Sequence, residues 1–171
     1  MNNDLTDSFV DYVFKVCSED KAARARLRRA DNPAFEWQAL PVVYAFIKDG
    51  IDDGGKRHAY LTVAAAIARS DMKANGSFGL GKAFRLIEEE KNNAEDLKTF
   101  PPRLSRLMSC DSLEELVMVI RPILSFVLSK EIGLDFKRLL RNLLDFRYRK
   151  DSVLVGWAKD YMDNASREVL E

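Results

Sequence analysis

At 171 residues, 47% of them apolar and 32% charged, the chain is long enough for a sizeable core. It has the composition of a soluble globular domain, which excludes extended disorder. Its 27 basic and 27 acidic side chains cancel, so net charge alone does not point to a polyanionic partner.

No apolar run approaches the roughly 20 residues that cross a bilayer. The start MNNDLTDSF lacks the basic and apolar regions of a signal peptide, so a cytoplasmic protein without membrane association is expected. The charge is unevenly spread. Asp4, Asp7, Asp11, Glu19 and Asp20 stand against Lys15 alone at one end, and residues 151–171 are acidic too. The middle must be basic by the same amount, and a neutral protein with such a middle can carry a local field that holds a polyanion. Cys17 and Cys110 lie far apart in apolar helical patterns, with no CxxC pair and a single His58. They read as buried thiols, and neither a metal site nor a cofactor is expected.

A first helix is expected from about Thr6 to Cys17, with Phe9, Val10, Val13, Phe14 and Cys17 inward. Ser18 is placed to cap a second, about Glu19 to Ala30. There Arg24 and Arg28 share one face and Arg26 and Arg29 an adjacent one, with no acid between Lys21 and Ala30 to pair with them. The run reads equally as a solvated face and as a surface for a polyanion or an acidic partner. Asp31-Asn32-Pro33 is a turn. A helix is expected from about Pro41 to Lys48, stopped by Gly50, with Trp37, Val42, Tyr44, Phe46 and Ile47 as core. An alanine-rich helix follows from about Arg57 to Ser70. His58 sits near its start without a carboxylate constellation nearby, so catalysis is not expected of it.

Gly76, four residues, then Gly81-Lys82 matches the first part of a phosphate-binding P-loop. Ala83 stands where a hydroxyl should hold magnesium, and no buried strand precedes the loop. The expectation is a flexible loop leading into a helix from about Gly79 to Lys91, with exposed amides and Lys82 able to touch a phosphate backbone. The polar connector Asn92–Lys98 divides an N-terminal helical lobe, 1–91, from a C-terminal helical bundle, 92–171; the two can also form one continuous domain.

Pro101-Pro102 opens the next helix, with Leu104, Leu107 and Met108 inward and Arg103 and Arg106 on one side. Ser112-x-x-Glu115 is a capping box. Behind it Leu113, Leu116, Val117, Ile120, Leu124, Val127 and Leu128 recur at helical spacing, with a kink expected at Pro122 and Arg121 partly shielded beside it. Gly133 ends that helix. Phe136, Leu139, Leu140, Leu143 and Leu144 mark another. FRYRKDS forms a basic corner of Arg147, Arg149 and Lys150, with Asp151 or Ser152 capping a final helix. Trp157 and Tyr161 pack inward; Phe146 and Tyr148 suit the core better than base stacking. The whole reads as an all-α, two-lobed helical bundle of roughly eight to nine helices.

These residues carry a resemblance. ARLRRA at Ala25–Ala30, ALPVVY at Ala39–Tyr44, GSFGLGKAFRL at Gly76–Leu86, RLSRLMSCDSLEELVMVIRPIL at Arg103–Leu124, LDFKRLLRNLLDF at Leu134–Phe146 and WAKDYM at Trp157–Met162 occur in an order that resembles the CasB family. That family provides the small subunit of the type I-E CRISPR surveillance complex, Cascade. The resemblance implies a helical protein without enzymatic activity, working in antiviral defence beside backbone and large subunits and a second copy of itself. It implies basic surfaces that hold the displaced DNA strand of the R-loop; DNA and RNA are not distinguished by it. By the resemblance, Arg28 and Arg29 fall in a Leu-Arg-Arg run, Arg103 and Arg106 in an Arg-Leu helix start, and Arg121 after an aliphatic residue. Lys82 takes a basic position after glycine, and Arg147, Arg149 and Lys150 match in character only. Pro122 departs from the pattern.

An arbitrary strand is best gripped by its phosphates. Arg28, Arg29, Arg103, Arg106 and Arg121 are therefore expected to converge on one face. A purely structural adaptor, its basic face against acidic protein partners, is the alternative. A phosphotransfer enzyme built on Gly76–Lys82 is a third reading, which failure to bind a labelled ATP analogue with magnesium removes.

Overall fold

The computed structural model describes residues 3–91 and 99–163, so the expected connector at 92–98 lies outside the described residues. Among them are eight α-helices and one short 3₁₀ turn, as the all-α expectation requires. The first, α1 (Asn3–Glu19), buries Phe9, Val10, Val13 and Phe14. Asp20, not Ser18, caps α2 (Lys21–Leu27): its carboxylate accepts from the Ala22 and Ala23 amides at 2.8 and 2.9 Å. Ser18 instead donates its hydroxyl to the Lys15 carbonyl. A carboxylate is as good an acceptor as a hydroxyl and adds charge that suits a helix N-terminus, so the cap moves two residues on.

Helix α3 (Glu36–Ile47) begins five residues before the expected start at Pro41. Pro41 is tolerated inside it because it is exposed, as is Trp37, whose carbonyl it leaves without an amide partner. This shift rotates the expected core: Trp37 is 65% and Tyr44 53% exposed, while Val43 and Ile47 are buried. Helix α4 (Gly54–Arg69) is buried on every side from Ala59 to Ala68. A helix apolar all round belongs at the centre, and α4 packs against α1, α2, α3, α7 and α8. Then come α5 (Leu80–Lys91), α6 (Pro102–Met108), α7 (Leu113–Leu128) and α8 (Phe136–Met162). The capping box is present at α7: Ser112 Oγ accepts from the Glu115 amide at 3.1 Å, and the Glu115 carboxylate reaches back to the Asp111 amide at 2.8 Å. Helix α7 runs on through an exposed Pro122. Helix α8 is two helical runs meeting at a kink at Arg149, whose φ of −139° and ψ of 37° are not helical. A final helix does therefore begin near the expected place, but Asp151 and Ser152 lie inside it and do not cap it. Trp157 and Tyr161 are buried as expected, and so is Phe146, but Tyr148 is 79% exposed.

One buried cluster extends from Phe9 to Tyr161, drawing on residues from both sides of the 91/92 boundary. Phe14 meets Phe136 edge-on across it, with ring centroids 5.9 Å apart.

The glycine-rich stretch serves this packing. The Gly76 amide donates to the Leu134 carbonyl at 3.1 Å, those of Ser77 and Phe78 donate to Gly133 at 3.1 and 3.0 Å, and the Asp135 amide returns to Phe78 at 2.8 Å. A Cβ on Gly76 would stand 2.1 Å from the Gly133 oxygen, and one on Gly81 would stand 2.1 Å from the Trp157 carbonyl oxygen. The Gly76, Ser77 and Phe78 amides are therefore already paired, and Gly76 and Gly81 are there to let backbones touch.

Candidate nucleic-acid interface

The cations of this chain sort into paired and unpaired sets by what each one reaches. Along α8, Lys137 lies 2.7 Å from Asp11 and Arg141 bonds Asp7, so the acidic N-terminus neutralises α8. Arg138 is held by Asp160 at 2.6 Å. The expected basic corner is mostly neutralised too. Arg147 bridges Asp53, which caps α4 through the Lys56 amide, and Glu114, 2.6 Å away in the first turn of α7. Acids at two helix N-termini suit the helix dipoles and together bind one guanidinium. Lys150 meets Asp111 at 2.8 Å. Only Arg149 of that corner is exposed without an ion pair among the described residues. Lys82 is half-buried in a recess with Arg138 and Asp160, and no contact joins it to the other candidates.

The remaining candidates lie at the end of α2, on α6 and on α7. Asp31 has a side chain only 8% exposed; Arg69 grips both of its oxygens, at 3.1 and 2.6 Å, and Arg121 approaches to 3.6 Å. Arg69 also donates to the Arg28 carbonyl at 3.3 Å, which ties the end of α2 to the end of α4. Arg24 and Arg28 answer the absence of a local acid in a way the sequence did not show. Both guanidinium groups donate to the Ala68 carbonyl, at 3.0 and 3.2 Å, and Arg24 also to that of Ser70 at 2.9 Å. They cap the C-terminus of α4, where carbonyls are unsatisfied and the dipole favours a cation. Arg28 keeps its terminal nitrogens for other partners. Arg29 lies over the Phe35 ring at 5.4 Å. On the other flank of α7, Arg103 lies over the Phe126 ring at 4.0 Å, and Arg106 follows one turn on, exposed.

Between these flanks runs the exposed stripe of α7: Met118, Pro122, Ser125 and Ser129. At about 3.6 residues per turn these four share one side of the helix, with Arg121 at one edge and Phe126 at the other. Arg121, beside Asp31 and Arg69, thus borders one edge of the stripe, and Arg103, over the Phe126 ring, the other. The exposed members Arg28, Arg29, Arg103 and Arg106 make no ion pair among the described residues. Among those residues no group of three His, Cys, Asp or Glu side chains is placed to hold a metal, and no helix is long and apolar enough to cross a membrane.

A family model described as CRISPR-associated protein Cse2 matches residues 23–162. The chain belongs to this family. It is 28% identical over 166 residues to a CRISPR-associated protein Cse2 of Thermus thermophilus, across 95% of this chain and 92% of the relative. The crystal structure of CasB from Thermus thermophilus has the same fold, with a TM-score of 0.69 at 28% identity, covering 91% of this chain and 96% of that one. A chain from a CRISPR RNA-guided surveillance complex, pre-nicking, matches with a TM-score of 0.78 at 21% identity over 99% of each.

In this Cse2 protein the residue that sequence reading missed is Arg69. It is a single cation at the end of an alanine-rich helix, and its isolation there is the one signal that could have marked it. His58 has no carboxylate constellation near it in the sequence, yet its Nε2 lies 2.9 Å from Glu36, which α3 brings across. The two thiols are free, Cys17 half-buried and Cys110 buried, and burial pushes both above their ordinary range.

The Arg147 bridge makes a pH-dependent contribution to stability. The hydrogen bond from Arg147, then that from the Lys56 amide, holds Asp53 below its ordinary value of 3.8. A lowered folded value means the stabilisation is present above the unfolded value and lost as pH falls through the folded one. Asp53→Asn keeps the cap but removes the charge. The melting-temperature gap between wild type and this variant narrows as pH is lowered from about 7 to about 3; because Asp53 is a third exposed, screening keeps the gap small. A gap constant across that range in thermal melts would show that Asp53 contributes only as a cap.

Proposed function

We propose that this chain is the non-catalytic small subunit of a CRISPR RNA-guided surveillance complex. In it the arginines bordering α7 hold the displaced DNA strand by its phosphates and keep the R-loop open. The observation that carries this reading is that Arg28, Arg29, Arg103 and Arg106 are exposed and make no ion pair among the described residues. Membership of the Cse2 family supports it. Unpaired guanidinium groups on rigid helices can replace the counterions of a strand of any sequence. In RNA-guided recognition the heteroduplex formed nearly balances the duplex lost, so a few backbone contacts tip the equilibrium. The backbone and large subunits and a second copy of the chain are the protein partners of this reading.

A second reading is the structural adaptor. Trp37, Tyr44, Met118 and Tyr148 are all more than half exposed, and exposed aromatic and arginine side chains are the usual anchors of protein interfaces. The two readings are compatible if different faces are used.

Fluorescence anisotropy of a labelled random-sequence single strand, as DNA and as RNA, tests the strand-holding role at two salt concentrations. Largely sequence-independent binding that weakens steeply with salt is the expected result. No binding at low salt by either the chain or its assembled complex would leave the adaptor reading.

A further inference from the structure

A cleft of about 490 Å³ opens between the C-terminal ends of α4 and α7. That is in the range of small-molecule sites, roughly 300–1,000 Å³. Its walls include Met72, Leu128 and Ile132, all half-buried, which offer an apolar surface. Arg69 forms one side, so the cleft shares a wall with the Asp31 cluster and continues the arginine-bordered face. Ser125 and Ser129 line α7's side. Their hydroxyls donate to the Arg121 and Phe126 carbonyls at 3.4 and 2.7 Å, which leaves their oxygens as acceptors. Two exposed acids, Asp71 and Glu131, complete the lining.

The φ of Glu131, 56°, makes it the one non-glycine residue with positive φ among those described. After a helix such as α7 that conformation ordinarily falls to glycine, because a side chain there is strained. A side chain kept at such a cost, at the mouth of a cleft, points to use of the carboxylate.

We propose that this cleft receives one unpaired base of the strand held by the arginines, with preference for a base that bears an exocyclic amino group. The inference rests on the strand-holding reading above. The acids repel a phosphate from the cleft but accept from an amino group, and the apolar wall takes the face of the ring. The phosphates on either side remain with Arg28, Arg121 and Arg103. Cytosine satisfies this chemistry; thymine, which presents a carbonyl where cytosine has its amine, does not.

The test compares oligo-dC with oligo-dT of equal length, on the full chain alone and in its reconstituted complex. Wild type is expected to bind oligo-dC several-fold more tightly, with the same salt slope for both, since their phosphates are identical. Glu131→Gly is expected to abolish the preference while raising the melting temperature, because it relieves the strained backbone; Ser129→Trp fills the cleft and gives the same loss. Equal affinity of wild type for both strands, with a steep salt slope, would overturn the base site and leave the phosphate grip standing. A preference retained in both variants would also overturn it. Absence of any strand binding, alone or in the complex, would remove both readings.

Discussion

The Arg29→Glu, Arg103→Glu double variant binds a random single strand more weakly than wild type, and its log–log salt slope is shallower by about 1.4, or about 0.7 for each phosphate that is no longer neutralised. The two positions test the proposed face as a whole, since Arg29 follows α2 and Arg103 lies in the first turn of α6. Both side chains are exposed, neither has an ion pair among the described residues, and each is steadied by a ring, Phe35 for Arg29 and Phe126 for Arg103. Their replacement disturbs little of the fold, because exposed positions outside caps and buried networks usually change stability by no more than about 0.5 kcal/mol. A loss of affinity can therefore be assigned to the interface. The matched control is Arg147→Glu, which breaks the bridge to Asp53 and Glu114. It is expected to lower the melting temperature while leaving the salt slope unchanged. A double variant that holds the strand as well as wild type across the salt series would show that the exposed arginines meet protein and not phosphate.

The second large effect is expected at Gly81. A valine there lowers stability by at least about 3 kcal/mol, a shift of roughly 6–12 °C in melting temperature for a chain of this size. The obstacle is backbone: a Cβ would lie 2.1 Å from the Trp157 oxygen and 2.9 Å from the Trp157 carbonyl carbon, so α5 and α8 must separate. Gly156 supplies the contrast. Nothing lies within 4 Å of a Cβ placed on it, and Gly156→Ala inside α8 should stabilise by up to about 1 kcal/mol through helix propensity. The phosphotransfer reading predicts the reverse for Gly81: loss of nucleotide binding with the fold intact. Thermal melts beside titration with an ATP analogue and magnesium separate the two. Equal melting temperatures for wild type and Gly81→Val would mean that the helices are not held at this point.

The double variant and the glycine variant draw on different kinds of information. The helices came from the chain itself. The apolar spacing from Leu113 to Val127 and from Phe136 to Leu144 returns as buried faces of α7 and α8, and Ser112 with Glu115 marks the start of α7. Periodicity and capping are local properties, set within a turn or two of backbone, and so they can be read in order along the sequence. The resemblance carried by the Leu-Arg-Arg run and the Trp157–Met162 end likewise gave the family.

Tertiary structure decided which of the cations are available. Asp7 and Arg141 are 134 residues apart and Asp53 and Arg147 are 94 apart, yet each pair is bonded. Arg24 and Arg28, without an acid in their own helix, found the end of α4 instead. The same is true of Gly81, whose purpose lies in the Trp157 carbonyl, and of Trp37 and Tyr44, which a helix begun at Glu36 turns outward. Charge pairing, close backbone approach and exposure depend on distances in space between segments far apart in the chain, and a linear pattern does not contain those distances.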